Sequence, residues 1–206
     1  MKFLTAFLLT LTFAFAAFAQ SEQAPITRKD FGYKDWTYKN LEGDGETNLR
    51  KFSQGKKLVM VVHWAPWCPN WRHDVAFVRE LHEKYGDQGL SIIGVGEYDS
   101  VAKMKSHAES YKLKFPLVYA GTLPADREKS QHFTQRRAIG DMRKWGTPWY
   151  VFLEPGSLTK EGEVLANSVD QVSGELIKDN AEKFIRTKLG IETASEAISA
   201  QAVKPD

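Results

Sequence analysis

The run Leu58-Val59-Met60-Val61-Val62-His63-Trp64 constrains this chain more than any other segment. It is seven residues long, almost wholly apolar and rich in β-branched side chains, which suits a central strand covered on both faces, as in parallel sheets. Pro66 and Pro69 break the chain straight after it. Helical spacing then begins near Trp71. Val75, Val78, Leu81, His82 and Tyr85 recur at steps of three and four, and Gly86 stops the run. A buried strand, a sharp turn and an amphipathic helix follow one another directly.

The alternation continues. Residues 90–95 read as a second buried strand. Ser100 can cap a helix carrying Val101, Met104, His107, Ala108 and Tyr111, and residues 115–119 read as a short strand behind a proline. Residues 121–144 are polar and charged; they predict one or two surface helices with a solvated face. Trp149–Leu153 and residues 163–166 predict a hairpin, and Leu176, Ile177, Ala181, Phe184, Ile185 and Leu189 a last amphipathic helix. Upstream, Gly43-Asp44-Gly45 marks a turn, and Thr47 can cap a short helix through Phe52 that Gly55 ends. The order β–α–β–α–β–α–β–β–α implies an α/β fold, a central sheet with helices on both faces.

The N-terminus predicts export. Lys2 precedes an uncharged apolar run from Phe3 to Phe18, Ala17-Phe18-Ala19 has the small-x-small form of a cleavage site, and Gln20 and Ser21 begin a polar stretch. The run is shorter than the roughly 20 apolar residues of a spanning helix. Residues 1–19 therefore read as a cleaved signal peptide, 20–30 as a flexible lead-in, 31–189 as one domain and 190–206 as a mobile tail. A periplasmic or secreted monomer, free of the membrane after cleavage, is expected. With 28 basic against 26 acidic side chains the chain lacks the basic footprint of a nucleic-acid binder. Cys68 is the only cysteine, so no intramolecular disulfide is possible, and a lone thiol in an exported chain demands a reason.

Cys68 follows a buried strand and precedes a helix. Helix N-termini carry partial positive charge and free N–H groups, both of which favour a thiolate, and Arg72 and His73 lie one turn on. This is a sound setting for a nucleophilic sulfur. The alternative is an inert, buried small hydrophobe.

The segment Val61-Val62-His63-Trp64-Ala65-Pro66-Trp67-Cys68 resembles the strand and active-site entry of thioredoxin-fold proteins, above all the exported TlpA-type thiol–disulfide oxidoreductases. Residues 41–52 resemble that group's helix before the strand, residues 111–116 the end of its inserted helix, and Trp145-Gly146-Thr147-Pro148 its Gly-Thr-Pro turn. The resemblance spans residues 31–189 and implies a thioredoxin-like fold with a mixed sheet. It makes Cys68 the nucleophile and Pro148 a cis-proline, with Thr147 offering backbone groups to an extended peptide. Trp67, Pro69, Asn70 and Trp71 complete the substrate-facing loop.

Two departures matter. The resolving cysteine would stand at position 71, which is Trp71, and the family's buried acid would stand at Val62. Without a second thiol, a mixed disulfide at Cys68 waits for an external thiol. Single-cysteine exchange with protein or small-molecule thiols and disulfides is the first expectation, with no cofactor. A non-catalytic peptide-binding or chaperone-like module is the second. A one-cysteine peroxidase ranks below both, since Pro66 is present but no threonine lies near it. His63, Cys68 and His73 could be imagined around a metal; copper-delivery proteins of this fold present two cysteines, however, and no metal is expected. His82, His107 and His132 read as ordinary surface or packing residues, and Glu97 and Asp99 as loop residues. Five of the six tryptophans (Trp64, Trp67, Trp71, Trp145 and Trp149) lie near Cys68 or Pro148 in sequence.

Overall fold

The computed structural model describes residues 22–191. The expected signal peptide and most of the expected tail lie outside the described residues. No described helix is long and apolar enough to cross a membrane.

The central run forms β5, Leu58–Trp64, the fifth of ten strands among the described residues and buried along its whole length. It pairs parallel with β6 (Leu90–Gly96), which pairs parallel with β7 (Leu117–Tyr119). On its other side β5 pairs antiparallel with β8 (Trp149–Leu153), and β8 pairs antiparallel with β9 (Val164–Ser173). The eight-stranded mixed sheet runs β2-β9-β8-β5-β6-β7-β3-β4, closed at its edges by β2 (Thr27–Lys34) on one side and β3 (Thr37–Asn40) with β4 (Glu46–Asn48) on the other. A separate two-stranded ribbon joins β1 (Gln23–Ala24) to β10 (Glu175–Leu176).

Alternation along β5 divides the core. Leu58, Met60, Val62 and Trp64 pack under α2 (Pro69–Tyr85), α3 (Val101–Ser110) and α5 (Lys178–Leu189). Val59 and Val61 face Tyr33, Trp36, Trp149, Val151 and Leu49 of α1 (Leu49–Ser53). Helix α2 forms because Trp71, Val75, Val78, Leu81 and Tyr85 align on one buried stripe. Pro69 opens it at a position where a missing N–H costs nothing.

Four sequence expectations change. Residues 23–24 and 27–30 are strand, not a flexible lead-in. β9 would otherwise be an open edge, and β2 covers it, with Gln171 donating to the Thr27 hydroxyl at 2.8 Å. The short helix starts at Leu49 and is capped by Asn48, whose side chain accepts from the Lys51 N–H. Thr47 instead sits in β4 and donates to Asn40. The returning strand β9 runs ten residues, well past 166. Residues 121–144 hold a 3₁₀ turn (Pro124–Lys129) and α4 (Gln131–Ala138), but α4 is no solvated face: it buries His132, Gln135 and Arg136.

Candidate active site

Cys68 is the N-cap of α2 and makes no side-chain cap hydrogen bond. Its thiol turns across to the opposite loop and donates to the Thr147 carbonyl at 3.2 Å. The Thr147–Pro148 peptide is cis. Two segments 79 residues apart in sequence therefore meet at one sulfur. The thiol–carbonyl contact exists only for the protonated sulfur, because a thiolate and a carbonyl oxygen both accept.

The cis-proline loop is braced from beneath. Arg143 donates from Nη2 to the Gly146 carbonyl at 3.3 Å and to the Pro148 carbonyl at 3.2 Å. Asp141 holds Arg143 at 2.7 Å and Arg136 at 3.1 Å. Burial pushes the Asp141 carboxyl up, but its hydrogen bonds from Arg143 and the charges of both arginines outweigh this and hold it below its ordinary value. Gly146 has φ +64°, and the Arg136 guanidinium fills the space where a Cβ would stand, 1.7 Å from that position. Only glycine fits there.

The tryptophans divide into two groups. Trp67 and Trp145 form a partly exposed edge-to-face pair, with ring centroids 5.1 Å apart, beside Cys68. Trp67 donates to the Tyr98 carbonyl at 3.3 Å, and the Arg127 guanidinium lies 5.0 Å above the Trp145 ring. Trp64, Trp71 and Trp149 are fully buried. The expectation that Trp71 contacts substrate is thereby corrected. Its ring packs on Trp64 and its Nε1–H donates to His107 Nε2 at 2.9 Å, so the position of the resolving thiol has become part of the core. Burial lowers His107 to about 4, with Arg72 adding to the effect, so the ring is neutral and free to accept. Of the other loop residues, Pro69 is exposed, Asn70 half-buried, and Thr147 and Pro148 buried behind the thiol. A groove of about 410 Å³ beside the loop is lined by Trp67, Arg72, Lys103 and His107. Another cavity, about 610 Å³ and lined by Asn40, Phe115 and Leu117 among others, includes none of these residues.

A buried acid is present after all, supplied from the helix rather than from Val62. Val62 lies opposite Tyr150 across β5 and β8. The Tyr150 hydroxyl donates to Asp74 Oδ2 at 2.7 Å, the Leu176 N–H donates to the same oxygen at 2.8 Å, and His73 lies 3.3 Å from Oδ1. Asp74 is wholly buried, and desolvation raises its carboxyl above the ordinary value against those hydrogen bonds. Tyr150 lies within electrostatic reach of Cys68. Asp74 has a sequence signal: it shares the inward stripe of α2 with Trp71, Val75 and Val78, where a charge is out of place.

The imagined set His63, Cys68 and His73 does not assemble. His63 projects to the other face of the sheet, into a cluster with Glu97 and His132 that sequence reasoning missed. Glu97, read as a loop residue, and His132, read as an ordinary one, are both inside the protein.

The profile of the AhpC/TSA family matches residues 30–127. The thiol-disulfide oxidoreductase ResA of Bacillus thuringiensis (strain Al Hakam) is 24% identical over 130 residues, 63% of this chain and 62% of the relative. The chain thus spans about three fifths of the length of that relative. Among solved structures, a thiol:disulfide interchange protein DsbE from Chlorobium tepidum superposes with a TM-score of 0.54 at 21% identity, covering 78% of this chain and 99% of the other. The chain has the thioredoxin-like fold. A DsbF homologue from Corynebacterium diphtheriae gives the same TM-score, 0.54, at 18% identity, over 81% of this chain and 87% of the other. The fold is therefore held in common while little of the sequence is. Within it, this thioredoxin-fold chain has one cysteine at the helix start, and a core tryptophan three residues on.

Proposed function

We propose that the chain is an exported, TlpA-type thiol–disulfide exchange protein that works through Cys68 alone. The observation that carries this reading is the 3.2 Å contact between the Cys68 thiol and the Thr147 carbonyl at the cis peptide. It joins a nucleophile at a helix N-terminus to a loop edge that can take an extended peptide. Trp67 and Trp145 offer apolar area beside it, and the Thr147 carbonyl is freed once Cys68 loses its proton.

In the reaction, Cys68 loses its proton and gives up the Thr147 carbonyl. The thiolate attacks one sulfur of a substrate disulfide; a new S–S bond forms, the old one breaks, and the other sulfur leaves as a thiolate that takes up a proton. Asp74, linked to the sulfur's surroundings through Tyr150, is the nearby group placed to influence the first proton loss. An external thiolate then attacks the mixed disulfide and restores Cys68, because Trp71 cannot.

The test is adduct formation. Reduced full chain incubated with glutathione disulfide should gain one glutathionyl group on Cys68, seen by intact mass and peptide mapping, and lose it to added dithiothreitol. A chain that forms the adduct in denaturant but never when folded would overturn the reading. That result would favour a binding module, which the near-complete burial of Cys68, 5% exposed, supports. A Cys68→Ser variant with undiminished biological activity would favour the same module.

A further inference from the structure

Helix α4 docks in an unusual way. The residues it buries are His132, Gln135 and Arg136, all polar, so the hydrophobic effect does not hold it. Gln135 accepts from the Lys34 N–H at 3.0 Å, and Arg136 meets Asp141. His132 enters a cluster with His63 from β5 and Glu97 from the end of β6, on the sheet face away from α2.

The three side chains are 2%, 0% and 1% exposed for His63, Glu97 and His132. Their ligand-type atoms all lie within 4.8 Å of one another. His63 Nδ1 and Glu97 Oε1 are 3.0 Å apart, and the imidazoles of His63 and His132 stack at 4.7 Å. His63 Nε2, His132 Nε2 and Glu97 Oε2 have no hydrogen-bond partner among the described residues. Buried polar atoms left this way are costly, so the protein alone does not satisfy this cluster.

From this geometry we infer that His63, Glu97 and His132 form a structural site for a divalent transition ion of the zinc class, which pins α4 to the sheet. Two imidazoles and a carboxylate are a fitting donor set for such an ion. Ligand atoms at about 2.0–2.1 Å from a tetrahedral zinc stand about 3.3 Å apart, close to the spacing already present between His63 and Glu97. Drawing in His132 requires its ring to turn out of its stack with His63, because two parallel imidazoles cannot both aim an in-plane lone pair at one ion. The hydrogen bond between His63 and Glu97 gives way when the ion binds. Tyr98, 2.8 Å from His132 Nδ1, fixes that ring from outside the set, as a second partner does for a metal-bound imidazole. Complete burial means that the ion enters as the chain folds.

The test uses the full chain refolded with Zn2+ or Co2+ and dialysed against metal-free buffer. The expected result is about one bound ion per chain, visible absorption from the Co2+ form, and protection of residues 121–144 from limited proteolysis. Glu97→Gln keeps the shape of the side chain and should weaken Zn2+ binding by about 10-fold or more; His132→Ala should do the same. Cys68→Ser should bind as the parent does. The inference is overturned if the parent retains no ion after refolding. It is also overturned if Glu97→Gln and His132→Ala bind undiminished, or if Cys68→Ser loses the ion, which would place it elsewhere. A cluster satisfied by internal water gives the first of these results.

Discussion

Replacing Trp71 by cysteine would restore two thiols three residues apart at the start of α2, and would test whether the missing thiol or the present core matters more. Trp71 is fully buried, packs on Trp64 and donates to His107. Truncating a buried tryptophan costs about 3–5 kcal/mol. The sulfur returns about 0.8 kcal/mol, the worth of one methylene-sized group. His107 Nε2 loses its donor, which adds about 1–3 kcal/mol if water does not replace it. The net expectation for Trp71→Cys is a loss of about 2–7 kcal/mol, out of roughly 5–15 for a whole domain. At about 2–4 °C per kcal/mol for a domain of this size, the melting temperature should fall by about 4–28 °C. Circular dichroism measures that fall, and thiol counting before and after mild oxidation shows whether the new pair closes. A variant as stable as the parent would refute the claim that Trp71 is built into the core. A variant that melts early yet gains insulin-reducing activity would show that stability was kept here in place of a self-contained dithiol.

Three further outcomes follow from particular contacts. Gly146→Ala places a methyl group against the Arg136 guanidinium at φ +64° and should destabilise the chain by about 3 kcal/mol or more in urea unfolding; an unchanged midpoint would remove Arg136 from beneath the loop. Asp74 and Asp141 should give opposite pH dependences. The folded Asp74 carboxyl is raised above 3.8, so its share of stability is present at low pH and lost as pH rises through the folded value. Asp141 is lowered, so its share is present above 3.8 and lost as pH falls through the folded value. Unfolding free energies of Asp74→Asn and Asp141→Asn relative to the parent, measured from pH 3 upward, should therefore slope in opposite directions, and parallel slopes would contradict one of the two assignments. Trp67→Ala should weaken capture of a peptide disulfide by Cys68 more than capture of glutathione disulfide, read as the ratio of the two adduct rates; an equal loss for both would take the Trp67–Trp145 pair out of peptide recognition.

The sheet was legible in the sequence because its central strands announce themselves. A strand buried on both faces must be apolar throughout, and Leu58–Trp64 and Trp149–Leu153 are nearly so. Helix α2 was legible because its stripe recurs at the helical period, and the loop between β5 and α2 because prolines and a lone cysteine mark it. The edge strands were harder to see. Residues 27–34 alternate only weakly, and β9 across the sheet, not their composition, makes them strand. Helix α4 was least legible of all. Its buried face is polar, so no hydrophobic pattern reports its inward side.

The sequence alone determined that the chain has a single thiol, that this thiol stands between a buried strand and a helix, and that no partner cysteine exists to resolve it. These follow from residue identity and local periodicity. Only the tertiary structure decided that the thiol meets Thr147, that the aromatic at position 71 faces the core rather than a substrate, and that Asp74 supplies the buried acid. It alone gathered His63, Glu97 and His132 into one place. Each of these depends on which residues from distant segments come to share a face of the sheet. Strand order and register set that, and no local pattern encodes it.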